Sequence, residues 1–286
     1  MTKLLAIFLG GAMIAGAADK LEVTSLLGTK FYSVPDDQHA AATAEKALAG
    51  DPKNPELMLK AALAHDAIRE YRESIALCTR ALALAPQNAD LYLERGHREL
   101  GLRQFTRARA DLERAEKLNP KNSEIYYHLG LSHYFLGEFA DAAEAFGHCV
   151  ELAPTLDSRI NASNWWYASL RRAGKTGEAA KALATITPEM KNTEPHTFYY
   201  LSMLRFFQGK IAESQVVPLQ PPAGNTDVEA ELRFDTVAYG VGNWFLYNGD
   251  RVKAEQYFRR VVKGQAWITW GFVGSEIEVA KAARGN

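Results

Sequence analysis

Apolar and small residues recur at helical spacing along most of the chain, and residues 123–154 show the pattern most clearly. In the first half of this segment, Leu129 and Gly130 lie in the middle of a predicted helix, and Gly137 follows at a turn. The second half places a set of apolar and small residues on one helical face: Ala142, Phe146, Cys149 and Leu152. The pattern predicts two packed helices that are joined at the glycine.

The same pattern returns upstream at a fixed interval. The preceding unit has equivalent residues at Gly96, Phe105, Ala108, Leu112, Ala115, Leu118 and Pro120. The unit before that has Ala62, Tyr71, Ser74, Cys78, Ala81, Leu84 and Pro86. Six prolines, of eleven in the chain, lie 34 residues apart: Pro52, Pro86, Pro120, Pro154, Pro188 and Pro222. Because proline cannot continue a helix, this spacing predicts a repeated helix–turn–helix unit of 34 residues.

With these residues, the units closely resemble the tetratricopeptide repeat (TPR). The resemblance covers roughly residues 37–283 and implies an all-α fold, a right-handed superhelical solenoid of TPR helix–turn–helix units. We expect about five full units. The expected divisions are a half-repeat capping helix at 37–54, three regular units at 55–154, irregular units at 155–264 with a loop near 217–226, and a C-terminal capping helix at 265–286.

The repeat pattern is irregular in the second half of the chain. Gly174 and Ala179 each lie three positions later than strict spacing predicts, whereas Pro188 keeps the 34-residue interval. The first helix of this unit, around Trp165, is therefore expected to be nearly one turn longer, and its second helix shorter.

The N-terminus has the pattern of a secretory signal peptide over residues 1–17. Lys3 supplies a positive charge, residues 4–14 are apolar, and Ala15-Gly16-Ala17 is a small-residue cleavage motif. We expect cleavage after Ala17, export to the periplasm or the medium, and an extended segment at 18–36. An uncleaved anchor is the alternative, although about 14 apolar residues fall short of the roughly 20 that a membrane helix needs.

The net charge of the chain bears on which classes of partner it can bind. The chain has a formal net charge of −1 and a pI of about 6.7, which gives no single-sign field for nucleic acid or an anionic membrane.

The spacing of the two cysteines bears on whether they form a disulfide. Cys78 and Cys149 lie two repeats apart, so their separation should be about 20 Å. A disulfide needs Cα atoms within about 7 Å, and we therefore expect two buried free thiols.

The TPR resemblance implies that the first helices of the units line a concave groove that binds a partner protein or peptide. The residues that fall on this groove are Tyr127, His128, Tyr134, Phe135, Trp165, Arg171, Arg172, Tyr199, Tyr200, Met203, Phe206, Phe207, Tyr239, Asn243 and Tyr247. Many are aromatic, and tyrosine and tryptophan suit binding surfaces. The same aromatics could instead fill the space between longer helices or be covered by the C-terminal helix.

Two other functional classes remain open at this stage. A small apolar ligand or a lipid could occupy the aromatic region around Trp165, Trp166 and Tyr200. An enzyme or metal site could use His97 and His128 together with Glu94, but His128 and His133 have a poor ligand spacing and the chain has no HExxH motif. We therefore expect a non-enzymatic protein without a metal or another cofactor.

Overall fold

A computed structural model describes residues 20–191, 198–216 and 228–285. The described residues are almost entirely helical, with one short hairpin of strands β1 and β2 at Leu21–Thr24 and Lys30–Tyr32. The α-helices are α1 Ala40–Gly50, α2 Pro55–Ala67, α3 Tyr71–Leu84, α4 Ala89–Gly101, α5 Phe105–Leu118, α6 Ser123–Leu136, α7 Phe139–Leu152, α8 Leu156–Arg172, α9 Thr176–Ala184, α10 Phe198–Phe207, α11 Val228–Tyr247, α12 Arg251–Val261 and α13 Trp270–Ala283. The predicted all-α solenoid is confirmed. The predicted signal peptide and the loop near 217–226 lie outside the described residues.

The regular units begin at asparagine caps that repeat with the 34-residue interval. The side chains of Asn54, Asn88 and Asn122 each accept a hydrogen bond from the backbone N–H two residues later, at the start of α2, α4 and α6. Such caps satisfy amide groups that have no partner inside the helix. The sequence therefore sets the start of each unit locally.

Helix pairs within a unit approach closely through small residues. A Cβ atom placed on Gly130 of α6 would lie 2.8 Å from the Phe146 ring of α7, so only glycine fits there. At the turn, Gly137 has a φ of 86°, whereas the equivalent residues Arg69 and Arg103 hold φ values of 60° and 62° without being glycine. The turn geometry is thus kept in all three regular units, at some backbone strain in the first two.

The irregular unit has the unequal helix lengths that the positions of Gly174 and Ala179 predict. Its first helix, α8, has 17 residues and its second, α9, has 9, compared with 14 in each of α6 and α7. The two cysteines are free and buried, as predicted, and burial raises the pKa of each thiol to about 12. Among the residues that the structure describes, no helix is both long and apolar enough to cross a membrane.

The N-terminal segment is not merely extended, because it pairs with itself. β1 and β2 are antiparallel, and one face of the hairpin buries Val23 and Phe31. Phe31 packs against Trp267 and Phe272, with ring centroids 5.9 and 5.4 Å apart. These two apolar side chains, which are cross-strand partners, attach the hairpin to the body of the protein.

The C-terminal segment turns back onto the first units. Trp267 lies 5.2 Å from the Tyr71 ring at the start of α3, and Trp270 lies 5.4 Å from the His97 ring of α4. In an open solenoid each unit contacts only its neighbours. Here the last helix contacts units far away in the sequence, so the stack is closed on itself.

Candidate functional site

Most of the predicted groove residues lie inside the protein. The side chains that are buried are His128, Tyr134, Phe135, Trp165, Met203, Phe206, Tyr239 and Asn243. Those that are partly covered are Tyr127, Arg171, Arg172, Tyr199, Tyr200, Phe207 and Tyr247. These residues therefore do not form an open groove; other helices cover them, which is the alternative that the sequence left open. Helices α11 and α13 occupy the concave face, which we define as the face formed by the first helices α2, α4, α6 and α8.

Tyr134 shows how this face is filled. Its hydroxyl accepts a hydrogen bond from Asn243 Nδ2 at 2.8 Å and one from the Tyr239 hydroxyl at 3.1 Å, both from α11. The Trp165 ring of α8 meets Tyr134 edge-on, with centroids 5.3 Å apart. Three helices therefore share one hydrogen-bonded aromatic cluster with no opening to solvent at Tyr134.

The arginine pair at the end of α8 already holds internal partners. Arg172 donates to Asn243 Oδ1 and to Glu278 Oε1 of α13, both at 3.0 Å. Arg171 lies 4.5 Å from the centroid of the Tyr247 ring and donates to Asn248 Oδ1. The carboxylate that Arg172 binds thus comes from the same chain.

His97 and His128 come together, as an enzyme or metal site would require, but their surroundings keep them neutral. Their ring centroids are 4.1 Å apart, and Trp270 covers both. Burial lowers the pKa of His128 to about 4 and lowers the pKa of His97 well below its usual value. His128 Nδ1 donates to the Glu124 carbonyl, and Glu94 pairs with Arg98 rather than with either histidine. The arrangement is a packed pair of neutral rings.

The aromatic region proposed for a small ligand encloses little space. A cavity of about 30 Å³ lies between α8, α10 and α11, lined in part by Trp165, Tyr200 and Asn243. Such a volume has room for a few water molecules at most. A lipid chain would require these helices to separate.

A second polar cluster lies at the turn between α6 and α7. Ligand atoms of His133, Glu138 and Asp141 lie within 4.8 Å of one another, a spacing that a metal ion could use. However, Glu138 also pairs with Arg109, and His133 Nδ1 lies 2.7 Å from Glu138. Glu138 therefore already has a cationic partner in Arg109 and a close contact with the His133 ring.

Among the residues that the structure describes, a cleft beside the end of α2 stays open. It has a volume of about 400 Å³ and lies between α2, α4 and the segment before α13. Its lining residues are Asp66, Ala67, Arg69, Tyr71, His97, Arg98, Ile268 and Trp270. Arg98 Nε lies 2.9 Å from Asp66, and burial raises the pKa of that carboxyl group above its usual value. We refer to this feature as the α2–α4 cleft.

The middle of the chain matches a family model over residues 93–154, which include most of α4 and all of α5, α6 and α7. The model describes the tetratricopeptide repeat. The units in this part of the chain are therefore similar to the tetratricopeptide repeat. Their helix pairs, asparagine caps and close glycine contacts are the features described above.

Several solved structures of TPR-type proteins are similar to this chain. One of MamA is 23% identical and has a TM-score of 0.46, over 60% of this chain and 90% of that chain. MamA from Desulfovibrio magneticus RS-1 is 20% identical with a TM-score of 0.47, over 52% and 82%. YrrB, described as a TPR protein with an unusual peptide-binding site, is 16% identical with a TM-score of 0.47, over 86% and 100%. No curated protein matches the sequence.

Four residues that contact the repeat units were not among the residues predicted from the sequence, and all four lie in the C-terminal segment that contains α13. Trp270 covers His97 and His128 on the concave face, and Trp267 packs on Tyr71 of α3. Glu276 and Glu278 bind Arg103 and Arg172. The available signal was a pair of tryptophans three residues apart at the start of an amphipathic helix. That pattern indicates a buried face, but it does not indicate which helices cover it.

Proposed function

We propose that this chain is an exported, non-enzymatic TPR protein that binds a partner protein through the α2–α4 cleft. Export to the periplasm or the medium rests on the signal-peptide pattern of residues 1–17. That the protein is non-enzymatic is proposed because the sequence holds no known catalytic motif and because burial lowers the pKa of both His97 and His128, so that neither ring is charged near neutral pH.

The observation that carries this proposal is the difference between the two parts of the concave face. The aromatic part is filled by α11 and α13, whereas the α2–α4 cleft is open and has room for one or two side chains. Tyr71, Ile268 and Trp270 give it an apolar surface, and Asp66 and Arg69 add charges of both signs. Such a mixture suits a peptide segment with an apolar side chain beside polar groups.

A blocking substitution tests the cleft without removing a core contact. Ala67 is exposed at the end of α2, so Ala67→Arg would place a long side chain in the cleft. The matched control is Ala180→Arg, because Ala180 is an exposed alanine on α9, far from the cleft lining. We expect both variants to melt at the temperature of the unsubstituted chain. Affinity capture from the native envelope, read by mass spectrometry, should lose its partner only with Ala67→Arg.

Two outcomes would contradict the proposal. The unsubstituted chain could capture no envelope protein above an unrelated TPR control. Alternatively, Ala67→Arg and Ala180→Arg could capture the same proteins in the same amounts, which would place binding elsewhere. Export is tested separately by sequencing the N-terminus of the chain recovered from the periplasm, which should begin at Ala18.

A further inference from the structure

The polar cluster at the turn between α6 and α7 combines one imidazole with two carboxylates. Ligand atoms of His133, Glu138 and Asp141 lie within 4.8 Å of one another. His133 belongs to the last turn of α6, Glu138 directly precedes α7, and Asp141 lies in the first turn of α7. The turn at Gly137, with its φ of 86°, brings the two helix ends together. One nitrogen and two oxygen atoms form a ligand set that divalent transition metals use.

The first regular unit, α2 and α3, has the same histidine and glutamate two repeat lengths earlier, and there a cation lies on the glutamate. His65 Nδ1 lies 2.8 Å from Glu70 Oε2. The Lys20 ammonium group lies 2.8 Å from the same oxygen. The other nitrogen of His65, Nε2, lies 3.0 Å from Glu45. In this unit, therefore, the chain itself supplies a positive charge at the oxygen that the histidine contacts.

The corresponding oxygen of the third unit has no such cation. His133 Nδ1 lies 2.7 Å from Glu138 Oε2, whereas Arg109 pairs with the other oxygen, Oε1. The Asp141 side chain is exposed and has no hydrogen-bond partner among the described residues. One edge of the Glu138 carboxylate, the His133 ring and the Asp141 carboxylate thus remain available to a cation from solution.

An open pocket adjoins this cluster. It has a volume of about 360 Å³ between α5, α6 and α7, and His133 and Asp141 are part of its lining. Its other charged lining residues are Glu113, Glu116, Lys117 and Glu144. The pocket therefore has an excess of negative charge, which attracts cations, and it leaves room for water molecules on a bound ion.

We propose that His133, Glu138 and Asp141 form a binding site for a divalent transition metal such as zinc. The ion replaces the proton that lies between His133 Nδ1 and Glu138 Oε2, and that proton is released to solvent. Zinc holds such ligands at about 2.0–2.2 Å, so these two side chains need to separate by less than about 1 Å. Arg109 stays on Oε1 and orients the carboxylate. The imidazole ligand favours zinc over calcium or magnesium.

Isothermal titration calorimetry with zinc chloride tests the proposal on the chain from Ala18 onward, which retains every described residue. We expect one saturable site, with which calcium chloride does not compete. Asp141→Asn changes an exposed side chain, so it should leave the fold intact and weaken zinc binding about tenfold or more. His133→Gln should weaken zinc binding at least as much, because it removes the nitrogen ligand.

The matched controls are Glu144→Gln and His148→Gln. Both side chains are exposed on α7 and line the same pocket, but neither belongs to the cluster. Both variants should bind zinc like the unsubstituted chain, and so should Ala67→Arg, which separates this site from the α2–α4 cleft.

Three results would overturn the proposal. The unsubstituted chain could show no saturable zinc binding. Asp141→Asn and Glu144→Gln could lose the same affinity, because zinc would then be attracted only by the acidic surface. Finally, His133→Gln could bind zinc with unchanged affinity, which would place the ion elsewhere.

Discussion

Contacts made by single residues hold neighbouring helices of this protein together. Gly130 allows the Phe146 ring to lie against the α6 backbone, and the Tyr134 hydroxyl joins α6 to α11 through two hydrogen bonds. Tyr134 lies on the concave face, and Gly130 lies where α6 packs on α7. Substitutions at these positions therefore report on the packing of the repeat and on the filling of its concave face.

Gly130→Ala should destabilise the protein by about 1–3 kcal/mol, because the added methyl group would overlap the Phe146 ring. Gly177→Ala is the matched control. Gly177 lies in α9, has an ordinary negative φ and has open space around its Cα, so alanine should be neutral or should stabilise by up to about 1 kcal/mol. Urea denaturation measures both. Equal changes in the two variants would refute the close packing of α6 on α7.

Tyr134→Phe should reduce the free energy of unfolding by about 1–3 kcal/mol, since it removes the acceptor of two buried hydrogen bonds. Tyr92→Phe, measured by the same denaturation, serves as the comparison. Its hydroxyl makes one long, exposed bond of 3.4 Å, so its loss should change stability by less than about 0.5 kcal/mol. If Tyr134→Phe were equally neutral, the cluster at the concave face would not exist in solution.

The neutral histidine pair predicts a loss of stability in mild acid. Burial lowers the pKa of His128 in the folded state to about 4, below the value of about 6.5 for an unfolded chain. The unfolded state therefore takes up the proton first, and the contribution of His128 is complete above pH 6.5 and falls as the pH drops towards 4. Between pH 7 and pH 5 it should amount to about 2 kcal/mol.

His128→Gln should remove the contribution of His128, about 2 kcal/mol, from the loss of stability between pH 7 and pH 5. His148→Gln should keep the full loss because His148 is exposed on α7. The measurement is the urea midpoint of each protein at pH 7 and at pH 5. His97 acts in the same direction and remains in both variants. A loss in acid that is identical in the unsubstituted chain and in His128→Gln would show that His128 is accessible to protons in the folded state.

At the scale of whole elements, buried ion pairs fix α13 against distant helices. Glu276 lies at 2.9 Å from Arg103 at the α4–α5 turn, with both side chains almost fully buried, and it accepts from the hairpin at Leu26. Glu278 pairs with Arg172 at the end of α8. One helix therefore joins the hairpin, the second unit and the irregular unit.

Glu276→Gln should cost about 3 kcal/mol or more, since it leaves the Arg103 charge buried without its partner. The control is Glu255→Gln, which breaks an exposed i,i+4 pair with Arg259 on α12 and should cost less than about 0.5 kcal/mol. Thermal unfolding of both variants gives the comparison. A small effect at Glu276 would mean that α13 does not depend on this contact.

The sequence predicts the elements much better than it predicts their long-range contacts. The 34-residue interval, the asparagine caps and the displaced Gly174 are local signals, and they correctly predict the helix pairs and the long α8 helix. The location of α13 is not a local property. Periodicity shows that Trp270 and Ile277 share a buried face, but it does not show that the face meets α4 and α6. The hairpin was missed for the same reason, because Phe31 forms its contacts with Trp267, far along the chain.

At the scale of the whole molecule, closure changes how the repeats are expected to unfold. Units of an open solenoid depend only on their neighbours and can unfold from the ends. Here the first and last parts of the described chain share the contacts of Phe31 and Tyr71 with Trp267. We therefore expect α13 to open together with the central helices rather than separately.

Hydrogen–deuterium exchange, followed by mass spectrometry on the native chain, tests this account most directly. If the concave face is filled, the amides of α13 should exchange as slowly as those of α6, and only through global unfolding. Helix α1, at the edge of the stack, supplies the faster reference. If α13 exchanged more than about a hundredfold faster than α6 under native conditions, at least about 2.7 kcal/mol would separate their opening free energies. The aromatic face would then open independently, and the account would be wrong.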